Sequence, residues 1–106
     1  MKKITPELLS DITKRIVDEM HPEKIILFGS YAWGSPGGSS DIDLFIILSD
    51  SKEPSYRRSR PVYRCLAGMG IAVDAIVKTR TEVESSKNVM TSLTKKVLEE
   101  GKILYG

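Results

Sequence analysis

Two short apolar runs, Lys24-Ile25-Ile26-Leu27-Phe28 and Ile42-Asp43-Leu44-Phe45-Ile46-Ile47-Leu48, are joined by a stretch that opens on Gly29-Ser30 and closes on Asp41. Each run is too short for a buried helix and rich in branched or aromatic residues, so each is read as a buried strand. In the second run Ile42, Leu44, Ile46 and Leu48 fall on one face and Asp43, Phe45 and Ile47 on the other. Past its acidic end both faces are apolar, which makes it a central strand of a sheet. Gly29, Ser30, Asp41 and Asp43 therefore sit at the ends of rigid elements, with a Gly/Ser/Pro-rich loop between them.

The remaining segments supply helices for that sheet. Thr5-Pro6-Glu7 has the form of an N-cap, a proline in the first turn and an early acid, and Leu8, Leu9, Ile12, Ile16, Val17 and Met20 recur at helical spacing. This predicts a helix over 6–20, broken at His21-Pro22. A helical turn is expected at 30–33, a polar loop at 49–59 and a short helix at 61–67 stopped by Gly68 and Gly70. Ile71 to Val77 reads as a third strand. Thr81 with Glu84 resembles a capping box, Leu93, Val97 and Leu98 mark a final helix closed by Gly101, and Ile103-Leu104-Tyr105 is a short edge strand. The expected fold is α+β: a small mixed sheet of three to four strands flanked by helices, in one domain over 1–106.

The 106 residues carry a net charge of +2, too little to suggest wholesale nucleic-acid binding, although Arg57, Arg58, Arg60 and Arg64 crowd into one segment. That cluster is more simply a solvated face. Cys65 stands alone, so neither an internal disulfide nor a cysteine zinc site can form, and a reducing cytoplasm is the expected setting. With no long apolar run, a membrane role is not expected. His21 reads as a turn residue and Cys65 as core.

Asp41 and Asp43 lie two apart, so in a strand their side chains leave one face with Cα atoms about 6.5 Å apart. An isolated ionised carboxylate in an apolar interior costs more than a domain's whole stability, and a divalent cation would compensate. Asp74 repeats the oddity in the third strand, and if that strand lies beside the second, three carboxylates face one point. Oxygen ligands of this kind select Mg²⁺ or Mn²⁺, whose shells substrate phosphates commonly complete. Gly29 permits a sharp turn with exposed N–H groups for phosphate oxygens, and Ser30 adds a hydroxyl. Gly29 and Gly34 have Walker-type spacing, but Ser35-Pro36 stands where lysine and a hydroxyl residue are required, and no dinucleotide fingerprint occurs. The plainer alternatives are a turn cap for Asp41, pairing of Asp74 with Lys78 or Arg80, and helix capping by Ser30.

Gly-Ser, a spacer, Asp-x-Asp and a later strand aspartate, within FGSYAWG…SSDIDLFI, resemble the motif of nucleotidyltransferases of the DNA polymerase β type, and in particular their minimal nucleotidyltransferase (MNT) branch. The resemblance spans nearly the whole chain. It implies that Asp41 and Asp43 bind two Mg²⁺ ions, that Asp74 joins them on the catalytic ion, and that Gly29 and Ser30 hold the β- and γ-phosphates of an NTP, ATP foremost. It also implies an antitoxin that moves AMP to a tyrosine hydroxyl of a HEPN-type partner. The chain departs from the family in carrying Tyr31 and Trp33 where arginines often follow Gly-Ser, so Lys52, Arg57 or Arg58 would have to supply charge to a triphosphate. Two further readings remain open: a non-catalytic module that neutralises its partner by binding, and a small-molecule nucleotidyltransferase. The known enzymes of the latter kind carry an extra substrate domain. The small size also raises a pocket completed by a second chain.

Overall fold

The computed structural model describes residues 5–29, 41–87, 89 and 92–106. Helix α1 (Pro6–Met20) starts where expected, because the Thr5 hydroxyl accepts the Leu8 N–H at 3.1 Å. It ends where His21 turns into the left-handed region at φ 48, its N–H donating to the Val17 carbonyl. Ile12 and Ile16, one turn apart, are fully buried. Strands β1 (Lys24–Phe28) and β2 (Ile42–Leu48) have the expected limits and pair antiparallel, Phe28 opposite Asp43 and Lys24 opposite Ile47.

The polar segment after β2 contains a 3₁₀ turn at Ser55–Arg57 and leads into α2 (Arg60–Leu66), one residue earlier than the proline suggested. Strand β3 (Val73–Thr79) lies parallel to β2 and is displaced two residues from its expected span. The reason lies in the cap. Thr-x-x-Glu occurs at both 79–82 and 81–84, and the box forms at the first: Thr79 Oγ1 accepts the Glu82 N–H while Glu82 Oε1 accepts the Thr79 N–H. Thr79 is buried at the strand's end, so β3 runs up to it and α3 (Arg80–Ser86) starts directly after. The single C-terminal helix expected from sequence is thus two, α3 and α4 (Leu93–Glu100). Strand β4 (Lys102–Tyr105) completes the sheet, in the order β3-β2-β1-β4.

Period-two alternation in the two central strands divides the apolar residues between the faces of the sheet. On one face Ile25, Leu27, Ile42, Leu44 and Ile46 pack with Ile12 and Ile16 of α1 and Val62 and Leu66 of α2. On the other Ile26, Phe28, Phe45 and Ile47 pack with Val83 of α3 and Val97 of α4. Phe28 meets Phe45 edge to face, with centroids 6.3 Å apart. No helix among the described residues is long and apolar enough to cross a membrane.

Candidate active site

The parallel pairing of β2 and β3 places Asp43 directly opposite Asp74. Partners in adjacent strands point to the same face across a gap of about 4.8 Å, so the two carboxylates are neighbours. That face is the Phe45 face, opposite the one covered by α1 and α2. Asp41 precedes β2 by one residue and is exposed, whereas Asp43 is half-buried and Asp74 exposed. Among the described residues no three histidine, cysteine, aspartate or glutamate groups are already gathered as a metal cage. The charge crowding is nonetheless felt. Asp43's carboxyl is raised above the usual aspartate range, first by burial, then by Asp74 and then by Asp41.

Gly29 ends β1 at φ +78 and lies against Asp43: a Cβ on it would fall 2.1 Å from Asp43 Oδ2. Only glycine takes this backbone without strain and leaves room for the carboxylate. The turn read from sequence as a phosphate cradle therefore also clears space for an acid, which spacing alone could not reveal. Ser30, Tyr31 and Trp33, with the expected helical turn and the loop at 34–40, lie outside the described residues. A crowded pair of carboxylates, a third nearby and bare backbone beside them form a donor set suited to a hard divalent cation.

Asp74 forms no ion pair among the described residues, since Arg80 is committed to Glu23. Next to Asp74, the Ala75 N–H, on the outer edge of β3, donates to the Tyr63 hydroxyl at 3.0 Å. Nothing in the sequence around Tyr63 signals this contact, because it depends on how α2 crosses the strand edge. Arg58 pairs with Glu82 and donates to the Glu53 carbonyl. With Arg57 it borders a cavity that Leu48 also lines, at the end of β2 remote from Asp43, about 16 Å along the strand. Neither arginine is placed to reach a triphosphate held at Gly29.

The family profile described as "Polymerase beta, Nucleotidyltransferase" matches residues 10–106. Two proteins of Methanocaldococcus jannaschii are similar along most of their length. "Putative protein adenylyltransferase MJ0604" is 37% identical over 83 residues, 78% of this chain and 78% of that protein. "Putative protein adenylyltransferase MJ1379" is 31% identical over 95 residues, 89% and 87% respectively. Among solved structures, a toxin-antitoxin with AMP-PNP matches with a TM-score of 0.69 at 26% identity, over 92% of this chain and 73% of that one.

Proposed function

The chain belongs to the polymerase beta nucleotidyltransferase family, and we propose that it moves AMP from ATP to a hydroxyl on a partner protein. The observation that carries this reading is the in-register Asp43–Asp74 pair with Gly29 against Asp43. The names of the relatives favour adenylyl transfer to protein. The likeness to a toxin-antitoxin favours an antitoxin role, the sequence resemblance points to a tyrosine of a HEPN-type toxin, and the lone Cys65 fits a reducing cytoplasm. In the reaction the acceptor oxygen attacks the α-phosphorus, the bond to the bridging oxygen breaks, and pyrophosphate leaves with its electron pair. Asp74 takes or orients the acceptor's proton. The Gly29-Ser30 backbone and the Ser30 hydroxyl orient the β- and γ-phosphates. Asp41, Asp43 and Asp74 would hold two divalent ions, Mg²⁺ or Mn²⁺, which supply the positive charge that phosphoryl transfer requires.

Incubation with the co-expressed partner, α-labelled ATP and Mg²⁺ should label the partner, and Asp41→Asn/Asp43→Asn should abolish the label. Label that persists in the double variant overturns the reading. Tyr31 and Trp33, in place of arginines, favour a second reading in which the chain neutralises its partner by binding alone. Growth rescue unaffected by the same double substitution would mark that case.

A further inference from the structure

Of the six arginines, three have carboxylate partners: Arg15 with Asp11, Arg58 with Glu82 and Arg80 with Glu23. Arg57, Arg60 and Arg64 form no ion pair among the described residues, and all three are exposed. They are not scattered. Together with Glu53 and Pro61 they line one concavity of about 230 Å³. Arg60 and Arg64 are one turn apart on α2, and Arg57 stands over the ring of Tyr56, 5.8 Å from its centroid. Tyr56 is itself 69% exposed.

We propose that this concavity docks an acidic segment of a protein partner. Guanidinium groups are planar forks that match carboxylates, and three of them face one hollow in which only Glu53 offers an acid and none forms an ion pair among the described residues. Glu53 on the rim reduces the local charge from three to two, enough for a pair of carboxylates and too little for a nucleic-acid track. Pro61 gives an apolar wall, which suits a peptide carrying an aliphatic residue between acids. The helix that bears the patch packs on α1, on the sheet face away from Asp43 and Asp74. A partner seated here leaves the carboxylate end of the sheet open. The surface is independent of nucleotidyl transfer and of its test.

Fluorescence anisotropy with a fluorescein-labelled Glu-Leu-Glu-Glu-Leu-Glu peptide reads the interaction directly. Arg57→Ala/Arg60→Ala/Arg64→Ala should weaken binding about tenfold or more, whereas Lys78→Ala/Arg80→Ala/Lys87→Ala, which removes as many charges elsewhere, should leave it within about twofold. Glu53→Gln should tighten it about threefold, a gain that no folding defect can mimic. Equal losses in the two triple variants, or no loss in the first, overturn the proposal. So does displacement of the peptide by a ten-nucleotide oligothymidine or by inorganic phosphate at lower concentrations than by unlabelled peptide.

Discussion

At the scale of single residues, the site is built on one clearance and one repulsion. Gly29→Ala adds a methyl where Asp43 Oδ2 already lies, at a backbone angle of φ +78. Gly68, at φ +86 with nothing within 4 Å of its would-be Cβ, carries the conformational cost without the clash. Urea unfolding should show Gly68→Ala losing about 1 kcal/mol and Gly29→Ala about 1–2 kcal/mol more. The repulsion makes a second prediction. Without metal, Asp43 is a destabilising charge whose penalty is absent in acid and grows as pH rises past the ordinary aspartate range. Asp43→Asn should therefore be at least as stable as the parent at neutral pH in chelator. Mg²⁺ at about a hundred times its Kd should stabilise the parent by about 2.7 kcal/mol, read as a rise in melting temperature, and leave Asp43→Asn unmoved. An equal response of the two proteins would remove Asp43 from the proposed metal site.

At the scale of elements, the cap that ends β3 also anchors the polar segment after β2. Thr79 is 7% exposed and exchanges hydrogen bonds with Glu82, which Arg58 holds from across the fold. Thr79→Ala should cost about 1–2 kcal/mol in urea unfolding. Glu82's carboxyl is held below its ordinary value of 4.5, first by the Thr79 N–H, against a smaller opposing effect of burial, and then by Arg58. A depressed carboxyl stabilises the fold in full above its unfolded value and ceases to do so as pH falls through its folded one. Stability should thus decline below pH 4.5 more steeply in the parent than in Glu82→Gln. Parallel pH profiles for the two proteins would contradict the assignment.

For the whole molecule, two cores on opposite faces of one sheet share β1 and β2, so damage to either is felt by both. Phe45 is fully buried at the centre of the smaller core. Phe45→Ala should cost about 3–5 kcal/mol, a large part of the 5–15 kcal/mol typical of a domain, read as a fall in urea midpoint within one transition. The helix over α1, the limits of β1 and β2 and the α+β class were legible because caps, prolines and apolar spacing act within a few residues of chain. The two-residue displacement of β3 was not, since two Thr-x-x-Glu pairs compete locally and burial of Thr79 chooses between them. Asp41, Asp43, Asp74 and Gly29 stood out from sequence as acids and a turn in otherwise apolar strands. That Asp43 and Asp74 face each other, that Gly29 makes room for one of them, that Tyr63 braces the next residue of β3 and that three arginines share a hollow without forming an ion pair among the described residues were decided by tertiary structure. Sequence determines which side chains each element offers and at what spacing. Strand order, register and helix crossing come from burying both apolar faces of the sheet at once, and they decide which of those side chains meet.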